Sequence, residues 1–306
     1  MQTIIWLLVA IIVMTALGWM RSLSLWLDIL ADLKLQLAII ALLLSVVLFV
    51  FRRRKIALLS LLVGVVNGIE IPIDSPKVSE VASGLKIISF NVNNNNMEAK
   101  GLAEFLLKEN ADVIIFYELN KTVRKKLTGI AALYPHQYFS QAAPAPGVKP
   151  HGIGLISRKP WIAISEKWDT ETKRTYGIQS SFRFNKRTLN LFGVHLSNPI
   201  FRHPRQQFSE SSKLIKIIKS INGPLVLVGD FNMTPFSNRY KNFLKLTGLK
   251  SMNGNILSTW PAWLTPFGLS LDHIFTSHDI AISSVRTGSN MGSDHRSIIG
   301  IFRPEK

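Results

Sequence analysis

Side chains that can bind a metal ion or a phosphate stand beside apolar runs along most of the chain after residue 85. They are Asn91, Glu118, His195, Asp230, Asn232, Asp272, Asp294 and His295. A carboxylate this close to an apolar run must be paired, bound to metal or exposed in a cleft, because burying an isolated charge is costly. Gathered in one place, such groups suit metal-assisted and acid–base chemistry.

The stretch "PLVLVGDFNMTPFS" (224–237) shows this arrangement most clearly. An apolar run leads into Asp230, and Asn232 follows two positions later. On an extended segment, residues two apart point the same way, so we expect both side chains to reach one phosphate. Taken singly, such residues have ordinary explanations, since an Asp beside a strand is usually a turn former. The ordered set as a whole is what predicts a site.

The elements that must position these side chains are short strands. From Leu85 onward, β-rich runs alternate with amphipathic segments, which predicts an α/β domain over residues 85–306. Helical spacing covers 99–109 and 211–221. The predicted strands are "LKIISFNV", "ADVIIFYEL", "GIGLISR", "TLNLFGVHL", "PLVLVGDFN", "LDHIFTS" and "RSIIGIFR".

The motifs at the strand ends resemble those of the endonuclease/exonuclease/phosphatase superfamily, whose fold is called DNase I-like. In order they are "SFNVN", "YELN", "GVHL", "VGDFNMTP", "LDHIF" and "GSDH", and the likeness covers residues 85–303. The resemblance implies an α/β (α+β) fold, a four-layer sandwich of two packed mixed sheets with the site at one end. Within the superfamily, the chain resembles bacterial members in which membrane-spanning helices precede the catalytic domain.

The same resemblance implies a divalent cation, Mg²⁺ or Mn²⁺. Glu118 would be its main ligand, with Asn91 beside it and Asp294 contributing. Hard oxygen ligands of this kind favour these ions. Members of the superfamily often carry Asp where "SFNVN" has Asn93, so a second acidic contact is missing here. A single ion is therefore expected.

The resemblance also implies roles in the hydrolysis of a phosphate ester. His295 would pair with Asp272, and Asp230 would position or deprotonate the attacking water. Asn232 and His195 would contact the phosphoryl oxygens. The general base is left open between Asp230 and the His295–Asp272 pair.

Uncharged runs near the amino terminus predict a membrane region over residues 1–70. Three transmembrane helices are expected, at about 3–20, 35–51 and 56–71, with a linker over 71–84. The "RRRK" loop (52–55) should be cytoplasmic, which puts the domain on the outer side of a bacterial plasma membrane. A cleaved signal peptide is the alternative for residues 1–20, but the basic segment that it needs is missing.

The charge of the chain restricts its partners. The net charge is +17, most of it after residue 84, which favours a phosphate ester, a nucleic acid or an anionic phospholipid as partner. Plain solubility is the alternative explanation. The chain has no cysteine, so disulfides and thiolate metal sites are excluded.

Two functions from different classes remain at this stage. One is a phosphoesterase, with a phosphodiesterase as the favoured kind, and it would act either on nucleic acid or on the headgroups of lipids. The other is a catalytically inactive module that binds phosphate or nucleic acid on the same fold. A plain structural membrane protein would leave the ordered polar set unexplained. We expect Trp260 and Trp263 to pack in the core, with stacking on a base or insertion into lipid as the alternative. The loop 197–207 should either lie on the surface or clamp extra phosphates through Arg202, His203 and Arg205.

Overall fold

The structure is a computed structural model, and it describes residues 2–70, 84–96, 98–140, 152–170, 174–184, 186–202, 204–252 and 257–305. Apart from Gly84, the predicted linker 71–84 lies outside these residues. The amino-terminal helices are α1 (Gln2–Trp19), α2 (Leu25–Ala31), α3 (Lys34–Val50) and α4 (Arg54–Gly68).

The predicted membrane runs fall on three of these helices. Among the described residues, α1 is long and apolar enough to cross a membrane, and α2 with α3 qualifies as a pair bent by 50°. Helix α4 has 15 residues, and crossing a bilayer takes roughly 20. Three spans therefore stay a prediction. The segment between the first two runs contains α2, where the Ser24 side chain accepts from the backbone N–H of Trp26 and caps the helix.

The rest of the described chain contains two mixed six-stranded sheets and the helices that flank them. The strand orders are β11-β12-β1-β2-β4-β3 and β5-β6-β7-β8-β10-β9. The strands are β1 (Leu85–Asn91), β2 (Val113–Leu119), β3 (His136–Phe139), β4 (Gly152–Ser157), β5 (Trp161–Asp169), β6 (Arg174–Phe184), β7 (Arg187–His195), β8 (Leu225–Asp230), β9 (Lys250–Ser251), β10 (Asp272–Thr276), β11 (Ile280–Thr287) and β12 (Ile298–Pro304). The helices are α5 (Leu102–Glu109), α6 (Lys121–Leu127), α7 (Pro199–Arg202), α8 (Pro204–Ser220) and α9 (Asn238–Thr247).

The apolar residues sort into layers. One buried cluster lies between the sheets and joins Ile115 of β2 to Val228 of β8. A second packs the first sheet against α5 and α6, and a third packs the second sheet against α8 and α9. Two packed mixed sheets with helices on their outer faces are the predicted four-layer α/β sandwich, so that expectation is confirmed.

Helix α2 is fastened to the sandwich by buried charges. Arg239 of α9 donates from Nε to Asp28 Oδ2 at 2.8 Å and from Nη2 to Asp32 Oδ2. Asp32 Oδ1 also accepts from the backbone N–H of Thr234 at 2.8 Å and from its hydroxyl at 2.7 Å. Because these groups are buried and paired on every side, α2 belongs to the same packed unit as the sheets.

Glu70, just after α4, joins the remaining amino-terminal helices to each other and to the sandwich. Its carboxylate accepts from Arg21 at 2.6 and 2.7 Å and from Lys34 at 2.6 Å. Lys241 of α9 lies 3.4 Å from the same carboxylate. The ends of α1 and α4, the start of α3 and helix α9 therefore meet at one acidic side chain.

Candidate active site

Three site residues lie in one row across the second sheet. Strands β7 and β8 run parallel with His195 opposite Asp230, and β8 and β10 run antiparallel with Asp230 opposite Asp272. Residues directly opposite each other point to the same face, so the three side chains emerge together. Gly229 makes this pairing possible, because a Cβ there would stand 1.8 Å from the Val194 carbonyl oxygen.

The first sheet brings Asn91 and Glu118 to the same place. Glu118 lies at a bulge of β2 and has a left-handed φ of 54°, a conformation that a non-glycine residue adopts at a cost. Its Oε1 accepts from Asn91 Nδ2 at 3.2 Å, and its Oε2 accepts from the backbone N–H of Asn94 at 3.1 Å. The bulge turns a strand residue toward the end of the sandwich.

The two sheets meet at Asp230. Asn91 of the first sheet donates to Asp230 Oδ2 at 3.0 Å. His195 Nε2 stands 3.7 Å from the same oxygen and 3.6 Å from Glu118 Oε1. The structure thus brings together residues that are 139 positions apart in the sequence.

His295 and Asp272 form the predicted pair. Nδ1 of His295 donates to Asp272 Oδ2 at 2.8 Å, and its Nε2 lies 3.8 Å from Asp230 Oδ2. Burial opposes the charged imidazole, but the negative charges of Asp272 and Asp230 outweigh it and raise the pKa of His295 to about 10. The ring is therefore an imidazolium at neutral pH. Burial, followed by the charge of Asp272, raises the pKa of Asp230.

Asn232 reaches the site by a different route from the one expected. Its φ is 51°, so the chain turns after Asp230 and is not extended there. The backbone N–H of Asn232 donates to Asp230 Oδ1 at 3.0 Å, and its side chain bridges Leu196 O and Asn198 Nδ2. The argument from strand alternation was wrong. Asp230 and Asn232 nevertheless line one cavity.

Asp294 is held by a tryptophan that we expected in the core. Trp260 Nε1 donates to Asp294 Oδ2 at 3.0 Å, and both residues line the cavity. Trp263 is 79% exposed, so the prediction of core packing was wrong for it as well. In the loop 197–207, the exposed Arg202 is not part of the cavity lining among the described residues, and His203 lies outside those residues.

The donor set fits a hard divalent cation. Glu118 and Asp294, two of the predicted ligands, line the same cavity. Asn94, whose backbone N–H donates to Glu118, has a buried side-chain Oδ1 with no hydrogen-bond partner in the described chain. Asn91, the third, turns its Nδ2 toward the carboxylates while its Oδ1 accepts from the backbone N–H of Asn93 at 3.0 Å. To bind through oxygen, its amide must rotate by half a turn.

A second group of atoms is also close enough to hold an ion. One ligand atom each of Asp230, Asp272 and His295 lies within 4.8 Å of the others, all three residues being buried. These are the residues to which the sequence assigned catalysis and not metal binding. Since His295 is protonated and already bonded to Asp272, this group serves acid–base chemistry better than coordination.

Sequence reasoning missed part of the lining altogether. The cavity measures about 400 Å³, and one of its walls comes from α2 and the turn into α3, through Ile29, Leu30 and Leu33. No catalytic motif marks these residues. The one sequence signal was the pair of acids Asp28 and Asp32 in an otherwise apolar stretch.

Solved structures with the same fold hold a DNA product or a sulfate ion. The chain is 18% identical to D. rerio TDP2, solved with a single-strand DNA product, at a TM-score of 0.60 over 72% of this chain and 99% of that one. It is 17% identical to the human Nocturnin catalytic domain with bound sulfate. The TM-score is 0.57, and the match covers 74% of this chain and 96% of that one. The Neisseria 3′ phosphatase NExo, bound to a product DNA hairpin, is 18% identical to the chain. The TM-score is 0.56, and the match covers 72% of this chain and 99% of that one.

At these identities the likeness shows the shared fold. A search of curated protein sequences finds no match to the chain. The family described as Endonuclease/Exonuclease/phosphatase family matches residues 88–295, which run from β1 to His295 and include Asn91 and every later residue of the cluster. The chain therefore belongs to the Endonuclease/Exonuclease/phosphatase family.

Proposed function

We propose that the chain is a divalent-metal-dependent phosphoesterase, most of all a phosphodiesterase, held at a membrane by its amino-terminal helices. The observation that carries this proposal is the position of the Asp230 carboxylate. It lies 3.0 Å from Asn91 of the other sheet, 3.7 Å from His195 and 3.8 Å from His295. A buried acid with a raised pKa, surrounded by imidazoles and amides in a cleft, is typical of a catalytic centre.

Glu118, Asp294 and a rotated Asn91 would hold Mg²⁺ or Mn²⁺. When bound, the ion supplies positive charge to the phosphoryl oxygens and to the leaving oxygen. The carbonyl of Asn94 is a further oxygen that such an ion could use. A bound cation would also offset the energetic cost of burying the carboxylates that line the cleft.

The protein groups divide the remaining work. Asp230 takes a proton from the attacking water, since its carboxylate lies at the centre of the cluster, within 3.8 Å of Asn91, His195 and His295. The water oxygen bonds to phosphorus, the ester P–O bond breaks, and the leaving alkoxide takes up a proton from solvent, to which Asp230 returns the proton that it accepted. His295, oriented by Asp272, stabilises the negative charge on the phosphoryl group.

His195 and Asn232 bind the phosphoryl oxygens. Nε2 of His195 lies 3.6 Å from Glu118 Oε1 and 3.7 Å from Asp230 Oδ2, so a phosphoryl oxygen bound near these carboxylates would be within its reach. The Asn232 amide keeps one N–H after its bond to the Leu196 carbonyl. The DNA products bound in TDP2 and NExo support a phosphate-ester substrate, and the sulfate in Nocturnin is a tetrahedral anion of similar shape.

The membrane assignment belongs to the same proposal. Residues 1–70 would form the membrane region, 71–84 a linker and 85–306 the catalytic domain. The "RRRK" loop (52–55) between α3 and α4 would lie in the cytoplasm, and the catalytic domain on the outer side of a bacterial plasma membrane. Support comes from α1 and from the α2–α3 pair. A phosphatase reporter fused after Lys306 should be active, and an inactive one would reject the orientation.

One assay tests the chemistry. The full chain, purified in detergent, should hydrolyse bis-p-nitrophenyl phosphate, lose the activity with EDTA and recover it with Mg²⁺ or Mn²⁺. Glu104→Gln, on the exposed face of α5, is the matched control and should behave as the wild type. Hydrolysis that EDTA leaves intact would reject the metal-dependent mechanism.

A further inference from the structure

The cavity at the active site is lined by two unlike sets of residues. Glu118, Asp230 and His295 are polar and stand where the phosphate would bind. The other set is apolar and comes from three parts of the chain. Its members are Ile29, Leu30, Leu33, Phe201, Leu269 and Leu271. A small polar ester would leave these apolar side chains in contact with water, which is unfavourable.

The lining also lacks what a nucleic acid needs. Although the chain has a net charge of +17, no Lys or Arg is among the described residues that line the cavity. Nucleic-acid binding depends on cations that neutralise successive phosphates. A cleft with one phosphate-binding end and an apolar end suits a single phosphate attached to an alkyl chain.

The apolar wall is a fixed part of the site. Leu30 and Leu33 flank Asp32, whose carboxylate is bonded to Thr234 and Arg239. Arg239 is 6% exposed and binds Asp28, one turn earlier in α2, as well. Because this salt-bridged segment cannot swing away without leaving buried charges unpaired, its leucines stay beside the catalytic cluster.

Exposed apolar side chains lie at the cavity and in the segment that follows Trp260. Phe201 and Ile200 line the cavity, and Phe201 is 85% exposed. Trp263 and Phe267, in the following segment, are also exposed, and we call these four residues the apolar rim. The carbonyl of Phe267 accepts from Gln36 Nε2 at 2.9 Å, and Gln36 lies in the first turn of α3. Since α3 belongs to the proposed membrane region, this rim stands where that helix would leave the membrane. Aromatic residues are enriched at that level of a membrane protein.

We propose that the α2–α3 segment is part of the substrate site, and that it selects phospholipids taken from the membrane in which the chain is anchored. The phosphate lies at the Asp230 cluster, and an alkyl chain lies along Leu30, Leu33 and Phe201. This inference rests on the proposed phosphodiesterase function. Water adds to the phosphorus, one ester P–O bond breaks, and the products are a phosphomonoester and an alcohol, one of which keeps the lipid chains.

A series of soluble substrates measures the contact with the alkyl chain. Methyl and hexyl p-nitrophenyl phosphate are phosphodiesters with the same leaving group, and they differ by five methylenes. The full chain in lipid nanodiscs should give a kcat/KM for the hexyl ester at least about thirtyfold above that for the methyl ester. Full burial of each methylene is worth roughly fourfold, so this figure corresponds to about half burial.

Two variants and a control locate the contact. Leu30→Asn and Phe201→Ser should each lower the hexyl-to-methyl ratio by at least about fivefold. Phe201 is so exposed that its replacement does not disturb folding. Ile162→Asn, at an exposed apolar position on β5 and outside the cavity lining, should keep the wild-type ratio.

The outcomes separate the two proposals. A hexyl-to-methyl ratio near one, with metal-dependent hydrolysis of bis-p-nitrophenyl phosphate intact, overturns the lipid assignment and leaves the phosphodiesterase standing. The same flat ratio with faster cleavage of a single-stranded DNA oligonucleotide would mark a nuclease. If the chain hydrolysed no diester in the presence of metal, both the proposed function and this inference would be rejected. In phosphatidylglycerol nanodiscs, the wild type should release a phosphomonoester or diacylglycerol that mass spectrometry detects, and no release contradicts the proposal.

Discussion

The imidazole of His295 and the carboxylate of Asp272 meet at 2.8 Å, although 23 positions separate them in the sequence. Asp272 begins β10, beside Asp230 of β8, and His295 lies in the turn before β12 of the other sheet. The pair therefore joins the two sheets at the end where Glu118 also lies. A buried imidazolium in this position keeps its charge because two carboxylates face it.

His295→Ala and Asp272→Asn should each lower kcat for bis-p-nitrophenyl phosphate by at least about a hundredfold. The first removes the charge next to the phosphoryl group, and the second leaves the imidazole without its orienting carboxylate. Steady-state kinetics checks this, with circular dichroism to show that both variants are folded. A full rate in either variant would show that the pair has only a structural role.

Glu118→Gln and Asp294→Ala should raise the Mg²⁺ concentration for half-maximal activity by at least about tenfold, because each removes a charged oxygen ligand. A Mg²⁺ titration of the hydrolysis rate measures the shift, and Glu104→Gln is the matched control. An unchanged requirement in both variants would place the ion elsewhere, with the Asp230–Asp272–His295 group as the next candidate.

Arg239→Met should destabilise the full chain strongly, by roughly 3–5 kcal/mol, because it leaves Asp28 and Asp32 buried without their cation. Thermal unfolding in detergent measures the loss. Lys241→Met is the control, since Lys241 is partly exposed and its pair with Glu70 is worth about 1 kcal/mol or less. Equal effects of the two substitutions would show that α2 is not fastened as described.

Gly229→Ala should prevent β7 and β8 from pairing in register, because its Cβ would overlap the Val194 carbonyl oxygen. We expect a loss of more than about 3 kcal/mol and no hydrolytic activity. Gly223→Ala is the control for backbone strain, since Gly223 also has a positive φ but open space around it. A Gly229→Ala protein as stable as Gly223→Ala would contradict the register.

His273 predicts one part of the pH dependence of stability. Burial lowers the pKa of His273 from 6.5 to about 4, and its Nε2 contacts the Met233 carbonyl at 2.8 Å. The unfolded chain binds a proton there below about 6.5, whereas the folded chain stays neutral until about pH 4. The stability from this group is therefore complete above about pH 6.5 and is lost as the pH falls toward 4, by up to about 3 kcal/mol.

The substitution His273→Gln isolates that contribution, because Gln keeps a donor for the Met233 carbonyl but does not titrate. Thermal unfolding of both proteins between pH 4 and 7 should show a shallower fall for the variant. Parallel curves would show that His273 has the same pKa in the folded and the unfolded chain.

Much of the site could be predicted from the sequence because strand ends are marked by local pattern. Apolar runs ending at Glu118, His195 and Asp230 give both the strand and its polar terminus, and the order of the motifs gave the family. The helical spacing over 211–221 falls largely within α8. These features depend on neighbours in the sequence, so the sequence displays them.

Other features depend on contacts between distant segments. Nothing near Asn232 in the sequence shows the left-handed turn that aims it, nor that Trp260 bonds to Asp294. The apolar run around Leu30 gave no hint of the catalytic cavity, because its partners Thr234 and Arg239 come some 200 positions later. Tertiary ion pairs of this kind become visible only in the folded chain.

The most direct test of the account is the metal-dependent rate of bis-p-nitrophenyl phosphate hydrolysis by Asp230→Asn beside the wild type. The substitution preserves the shape of the side chain and its bond from Asn232, and it removes the carboxylate around which the proposed chemistry is arranged. We predict a loss of at least about a thousandfold in kcat at saturating Mg²⁺, with the fold unchanged. A variant that retains the wild-type rate would contradict the account.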